Sequence, residues 1–294
     1  MKTRARALIA ATLAAALLFP VAAWAQSAPA PKPGGGLRFA TPADPDGLDP
    51  HRSPADSTFN ITMNIFDTLV ATNSKGEIAP GLATKWYIST DGLVYSFTLR
   101  PGVIFHTGKA FTSADVKYSL QRMSEKGKSP HAADYAIIDS VEAPDPMTVR
   151  LALKRPSARF LSDLAYGWAA MVPDGAGDEL RQKPVGTGPF RFVEWVPDSH
   201  IKLAKNAKYF VAERPYLDEL TYRVVPDETA RLTALKAGEL DVADRIPPQN
   251  VADLKKAAGL KVETFARNTL SEVAINEETK PFTDLKVRRA LFHA

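Results

Sequence analysis

Hydrophobic positions repeat with two different periods along this chain, and the period changes several times. In 94–99 every second residue is large and better suited to burial, which is typical of a strand with one buried face. In 59–70 apolar residues recur at every fourth position, which is typical of one face of a helix. Because the two patterns interleave without an internal repeat, we predict a mixed α/β fold.

Short motifs indicate where several of these elements turn or begin. Asp91-Gly92 lies between two β-rich runs and predicts a hairpin. Thr112, followed by Asp115, resembles a capping box at the start of a helix. Strands are predicted at 37–40, 86–89, 94–99, 147–153, 191–196, 201–205, 220–225, 241–243 and 260–265. Helices are predicted at 59–70, from Thr112, from Asp227 to Lys236, from Asn250 to Gly259, and from Asp284.

The first residues have the pattern of an export signal. Basic residues precede a short apolar run at 7–19, and Ala23-Trp24-Ala25 supplies the small residues that a signal peptidase reads. The run is shorter than the roughly 20 apolar residues that cross a bilayer. We therefore expect 1–25 to be a signal peptide cleaved after Ala25, and 26–36, rich in Pro and Gly, to be a flexible linker.

Removing that segment changes the meaning of the net charge. The chain carries 37 Lys and Arg against 33 Asp and Glu, a formal charge of +4, and Lys2, Arg4 and Arg6 belong to the expected signal. The remaining chain therefore carries a balance of +1, with both signs interspersed. That balance favours an ordinary solvated surface over a nucleic-acid-binding one.

The composition also limits the chemistry of the protein. There is no cysteine, which excludes disulfides, thiolate metal sites and a lipid attached at the cleavage site. The five histidines show no paired spacing, and the sequence contains neither a Gly-x-Ser-x-Gly elbow nor a Walker phosphate loop. We predict no catalytic residue, no metal and no cofactor, and an exported periplasmic protein without a lipid anchor.

The last residues predict an amphipathic helix that has barely begun. Val287 and Leu291 would form its apolar edge after Asp284, and nothing follows Ala294 to cover that edge. We expect the chain to be part of a longer protein, either as a gene fragment or as a shortened chain. A frayed terminal helix is the alternative.

Several phrases occur in the order in which a known family has them. The most specific is Val185-Gly186-Thr187-Gly188-Pro189-Phe190. The others are Gly35–Ala40, Gly47–His51, Ile65–Val70, Pro80–Ala83, Asp91–Phe97, Leu99–Val103, Thr112–Leu120, Val225–Arg231 and Pro281–Leu291. In this order they resemble family 5 of the extracytoplasmic solute-binding proteins of ABC importers, the peptide- and nickel-binding type, from about Gly35 to the last residue. Phe210 departs from the pattern, since the family commonly has Trp there.

The resemblance implies a fold of the type II (class C) periplasmic binding proteins, in which two α/β lobes close around a solute. It implies that 37–56 and 178–264 form the core domain of lobe I, with 57–177 as an inserted α+β subdomain. Residues 265–294 would form the hinge crossover and the start of a lobe II that this sequence mostly lacks.

The resemblance also implies a function and its partners. A solute would be captured by hinge closure and delivered to permease subunits in the inner membrane, with separate ATPase subunits. The protein would act as a monomer, bind no nucleic acid and have no enzyme activity. Peptide is the expected solute by family frequency, while nickel chelates, opines and oligosaccharides stay open. Coupling to a chemoreceptor instead of a permease is a further alternative.

Solute contacts are expected first in the loop after His51, by resemblance to relatives that place ligand contacts there. Arg52, Ser53 and Phe59 are the candidates, although Phe59 suits the hydrophobic core equally well. If the solute is a peptide, the charged partners of its two ends would come largely from lobe II.

Two aromatic residues outside this loop are further candidates for solute binding. Tyr135 and Trp168 lie in polar-aromatic segments that are expected to overhang the cleft, and flat apolar rings suit a site for varied side chains. A place in the core is the alternative for Trp168. The turn at 186–189 is expected to fix the backbone rather than to bind solute.

Overall fold

The computed structural model describes residues 31–265 and 275–293, and the chain divides into two compact units, one ending at Asp244 and the other beginning at Arg245. The expected signal peptide and part of the expected hinge crossover lie outside the described residues. The strands are β1 (Gly36–Thr41), β2 (Val70–Thr72), β3 (Ile78–Pro80), β4 (Ala83–Ile88), β5 (Val94–Leu99), β6 (Ile138–Asp145), β7 (Thr148–Leu153), β8 (Phe190–Val196), β9 (His200–Lys205), β10 (Glu219–Val224) and β11 (Val242–Ala243). The helices are α1 (Asp56–Thr62), α2 (Ser113–Met123), α3 (Ala132–Tyr135), α4 (Phe160–Asp163), α5 (Glu228–Lys236), α6 (Pro248–Leu254) and α7 (Leu285–His293), with 3₁₀ turns at Gly167–Ala169 and Asp178–Arg181.

The first sheet has five strands in the order β11-β1-β10-β9-β8. β1 is parallel to β10 and to β11, whereas β8, β9 and β10 pair antiparallel as chain neighbours. The predicted hairpin of β8 and β9 is confirmed. Parallel neighbours such as β1 and β10 must be joined by a crossover connection. The chain accordingly leaves this sheet at Thr41 and returns to it at Phe190.

The residues between these two points build a second, antiparallel sheet in the order β4-β5-β7-β6. Its predicted hairpin is present, and Gly92 in the turn has a φ of 70°, a left-handed conformation that glycine adopts without strain. The predicted capping box opens α2, where the Thr112 backbone N–H donates to Asp115 Oδ2 at 2.8 Å. Helix α2 packs on β6 and β7.

Each sheet has its own buried hydrophobic cluster. The buried members of the second-sheet cluster all lie between Leu69 and Met171. Ile61 and Val172 belong instead to the cluster under the first sheet. The boundary between the two hydrophobic clusters therefore falls inside the range 57–177 that is predicted for the inserted subdomain. The domain ranges stay a prediction.

The turn at Gly186–Pro189 fixes the junction between the two sheets. A Cβ on Gly186 would lie 2.0 Å from the carbonyl oxygen of Ile65, so no other side chain fits there. The Gly188 N–H donates to Ile65 O at 2.9 Å, and the His106 N–H donates to Gly186 O at 2.9 Å. Close packing and hydrogen bonds therefore fix the backbone of this turn, as expected from the sequence.

A buried ion pair ties the loop after β1 to α2. Arg122 Nη1 donates to Asp49 Oδ1 at 2.7 Å, and Arg122 Nη2 donates to the other oxygen of the same carboxylate. Asp49 is 1% exposed and Arg122 is 5% exposed. Paired and hydrogen-bonded in this way, the two charges are compensated, which burial requires.

The helix predicted at 59–70 is wrong beyond Thr62, where α1 ends. Tertiary hydrogen bonds explain the early end. The carbonyl groups of Asn64 and Ile65 accept from the N–H groups of Phe190 and Gly188, at 3.0 and 2.9 Å. A continuing helix would have used those carbonyls internally.

Other predictions of elements also need correction. Strand β6 is missing from the predicted set because it is an edge strand with an irregular burial pattern and register shifts against β7. Helix α6 begins at Pro248, which suits the first helical position, so Asn250 lies inside the helix and does not cap it. Residues 260–265 form no strand, because no described strand pairs with them.

The second unit contains α6 and α7. The Lys286 N–H donates to Asp284 Oδ1 at 2.8 Å, which confirms Asp284 at the start of the last helix. Leu285, Leu291 and Phe292 of α7 are exposed. Among the described residues, no helix combines the length and the apolar character needed to span a membrane.

Candidate functional site

The loop that leads into α1 meets the Tyr166–Trp168 segment at a small depression of about 140 Å³, here called the aromatic cleft. It is lined by Pro50, Ser53, Pro54, Ala55, Asp56, Thr58, Phe59, Thr62, His131, Tyr166 and Trp168. The structure therefore brings together Ser53, Phe59 and Trp168, three of the five predicted solute-binding residues.

Three parallel rings form one wall of the aromatic cleft. The Trp168 ring stacks on Tyr166, with centroids 4.4 Å apart and planes 5° apart. His131 stacks on Trp168 at 4.5 Å and 11°. Burial lowers the pKa of His131, so a neutral imidazole contacts the indole near neutral pH. Because other rings cover both faces of Trp168, the exposed surface of the stack belongs largely to Tyr166, which is 49% exposed.

Phe59 also lines the aromatic cleft, and its ring lies against Gly167, next to the stack. Its ring centroid lies 6.2 Å from that of Trp168, at an angle of 50°. A Cβ on Gly167 would lie 2.4 Å from the Phe59 ring atom Cε2. Gly167 therefore permits the present position of the Phe59 ring, and a larger residue there would push that ring aside.

Ser53 serves mainly to hold the loop. Its hydroxyl group contacts the Asp46 carboxylate and lies 3.1 Å from Thr58 Oγ1. The Ala55 N–H donates to Ser53 Oγ at 3.0 Å. These bonds fix the loop just before α1 and leave the Ser53 hydroxyl already engaged.

Arg52 faces a different depression, of about 490 Å³, whose lining shares no aromatic residue with the aromatic cleft. Its Nη2 pairs with Glu125 Oε2 at 2.7 Å, and Lys128 Nζ pairs with Glu125 Oε1 at 2.6 Å. The hydrogen bonds from Lys128 and Arg52 lower the pKa of Glu125 to about 2. Arg52 and the other predicted residues are thus not gathered around one point.

The prediction that Tyr135 contacts solute is not supported by its position. The ring is fully buried in the core of the second sheet, and its hydroxyl group donates to Asp163 O at 2.9 Å. Burial also raises the pKa of the Tyr135 hydroxyl. Tyr135 packs inside the second-sheet core, just before β6, and has no surface that a solute could contact.

Tyr166 and His131 are not among the site residues predicted from the sequence. Tyr166 is two residues before Trp168 and separated from it by Gly167, an arrangement that could have drawn attention to the pair. His131 comes from a distant part of the chain, and no local pattern connects it with Trp168. Within the described residues, no group of three or more His, Asp or Glu is arranged to hold a metal ion.

His51, just before the loop, is fully buried beside the ion pair of Asp49 and Arg122. Its Nε2–H donates to Ala170 O at 2.8 Å, which fixes the neutral tautomer. Burial lowers the pKa of His51 to about 4. An imidazolium ion would be excluded from this site at neutral pH.

The buried histidine predicts a specific pH dependence of stability. Its folded-state pKa, about 4, is below the ordinary 6.5, so the unfolded chain binds more protons between these values. The stability that His51 contributes is therefore present above pH 6.5 and is lost as the pH falls to 4, by roughly 3 kcal/mol. We expect His51→Gln to remove this loss, as measured by urea unfolding across the same pH range.

The pH profiles of stability must be compared between the wild type and His51→Gln, because Asp67 changes the stability in the opposite direction. Burial raises the pKa of Asp67 to about 6, so its contribution to stability is lost as the pH rises from 3.8 through 6. This contribution is common to the wild type and to His51→Gln. Identical pH profiles for the two proteins would contradict the assignment of a buried neutral His51.

Solved structures of type II periplasmic binding proteins match this mixed α/β chain. DppA of Helicobacter pylori, in complex with the peptide STSA, is 36% identical with a TM-score of 0.71, over 77% of this chain and 50% of that one. MoaA of A. tumefaciens R10, in complex with mannopinic acid, is 32% identical with a TM-score of 0.79, over 89% of this chain and 55% of that one.

The sequence comparisons identify the family. The model for bacterial extracellular solute-binding proteins, family 5 (middle region), matches residues 77–294, and the chain belongs to this family. The family is a solute-binding component of transport and not a known enzyme family. Di/tripeptide-binding protein 2 of Pseudomonas aeruginosa is 34% identical over 284 residues, which cover 87% of this chain and 53% of the relative. The chain spans about half the length of the curated relatives it matches.

Proposed function

We propose that this chain supplies one wall of the solute-binding cleft of an ABC importer's binding protein, and that the solute is a short peptide. The observation that carries the proposal is the aromatic cleft, where Phe59 and Tyr166 line a depression beside the loop after β1. Flat apolar rings on a fixed backbone accept varied side chains without requiring one particular hydrogen-bonding partner.

The relatives support peptide over the other solutes. The names of the di/tripeptide-binding relative and of the DppA complex specify peptides, whereas the MoaA complex holds an opine. Opines, nickel chelates and oligosaccharides are the alternative solutes. Coupling of the same closed form to a chemoreceptor is the alternative role.

The mechanism of the proposed function needs no covalent step. A solute that contacts both walls of a cleft favours the closed form by its higher affinity for that form. The closed complex would then dock on inner-membrane permease subunits whose ATPase partners are separate chains. We also propose a periplasmic, lipid-free, monomeric protein, matured by cleavage after Ala25.

Calorimetry with the chain tests the proposal. Because the relatives are about twice as long, we propose that this chain presents one wall of a two-walled site and binds solute weakly. Pooled di- and tripeptides should give dissociation constants of about millimolar, a loss of about 4 kcal/mol against micromolar binding. Micromolar peptide binding would contradict the one-walled site. Heat from mannopinic acid or nickel–histidine, with none from peptides, would contradict the choice of solute.

A further inference from the structure

The size of the aromatic cleft limits what it can hold. A depression of about 140 Å³ is close to the engineered cavity of about 150 Å³ that binds benzene in another protein. We propose that the aromatic cleft is a subsite for one benzene-sized group of the solute, the side chain of a single aromatic or large aliphatic residue. This inference rests on the proposed function and specifies which peptides it favours.

The walls of the subsite are already assembled. Trp168 is held between Tyr166 and His131, so its indole is fixed by contacts on both faces. Phe59 is held against the backbone at Gly167. A rigid aromatic wall binds a flat or branched apolar group without ordering new side chains, which reduces the entropic cost of binding.

Two hydroxyl groups of the lining, those of Ser53 and Thr58, are already engaged, which disfavours hydroxyl-rich solutes. Thr58 Oγ1 donates to Gly47 O at 2.8 Å and also contacts Asp46 Oδ1 at 2.8 Å. The Ser53 hydroxyl is bonded within the loop. Asp56, the carboxylate of the lining, is exposed to solvent. A sugar would lose hydrogen bonds to water in this subsite, whereas a phenyl group would lose none.

Dipeptide affinities measured by saturation-transfer NMR on the chain test the inference. We expect Ala-Phe and Ala-Leu to bind about tenfold more tightly than Ala-Ala, because partial burial of one large apolar side chain gives this factor. Equal affinities for all three would overturn the benzene-sized subsite and leave peptide binding itself intact. No binding of any dipeptide would overturn both this inference and the proposed function.

Two variants change the shape of the subsite in different ways. Phe59→Ala enlarges it, and we expect the affinity ratio of Ala-Trp to Ala-Phe to rise several-fold. Gly167→Ala displaces the Phe59 ring from its present position, and we expect the preference for Ala-Phe over Ala-Ala to disappear. Gly36→Ala is the control, since its Cβ would make only ordinary contacts near 3.7 Å. An unchanged order of preference in both shape variants would overturn the proposal, because a role in folding alone would alter affinities without altering their order.

Discussion

Replacing Arg122 by Met is expected to destabilise the chain by about 3–5 kcal/mol, because it leaves the buried Asp49 carboxylate without its charged partner. The pair lies 1% and 5% exposed, so water cannot replace the lost hydrogen bonds. For a protein of this size the change corresponds to a fall of roughly 10 °C in Tm. Thermal and urea unfolding of the variant measure it directly.

A double-mutant cycle separates the pair from its surroundings. Asp49→Leu together with Arg122→Met should be more stable than either single variant, because no unpaired charge stays buried. Arg159→Gln is the control, since Arg159 is 70% exposed in its ion pair with Asp163 and should cost less than about 1 kcal/mol. Additive effects of the Asp49 and Arg122 substitutions would show that the two side chains are not coupled.

Replacing Gly186 by Ala is expected to cost about 3 kcal/mol or more, because the new methyl group would lie 2.0 Å from a backbone oxygen. That oxygen belongs to Ile65, which is held in place by the N–H of Gly188 at 2.9 Å. Relief would require the two segments to separate, and with them the junction between the sheets. Urea unfolding and the yield of folded protein measure the effect.

The same substitution at Gly36 is the matched control. Gly36 lies in β1 without a positive φ, and its Cβ would meet only Glu219 at 3.7 Å. We expect Gly36→Ala to change stability by no more than about 0.5 kcal/mol. Equal, small effects at both positions would show that the junction at Gly186 is loosely packed.

The elements that the sequence analysis predicted correctly are those defined by local chemistry. The Asp91-Gly92 turn and the Thr112 capping box each depend on a few neighbouring residues, and both appear in the structure. The helix at 59–70 failed because Asn64 and Ile65 bond to a turn more than 120 residues away. Periodicity reports which side chains can share a face, but not which carbonyl groups a distant segment will use.

The candidate site was predictable to a similar degree. Family resemblance pointed to the segment that supplies Ser53 and Phe59, and aromatic character pointed to Trp168. Single-residue reasoning could not show that Trp168 is covered on both faces, or that Tyr135 is buried in the core. Both outcomes depend on which ring lies against which, a property of tertiary packing.

The three tryptophans within the described residues provide a direct test of the proposed solute site. Trp168 lines the aromatic cleft, whereas Trp86 packs against the second-sheet core and Trp195 donates its indole N–H to Asp44 at 3.0 Å. Their indole N–H signals can be followed separately by NMR while pooled di- and tripeptides are added, with Trp168→Phe identifying its signal. We expect millimolar peptide to shift the Trp168 signal and to leave those of Trp86 and Trp195 in place. If the Trp168 signal does not move, the aromatic cleft is not the solute site, whether the peptide binds at another place or does not bind.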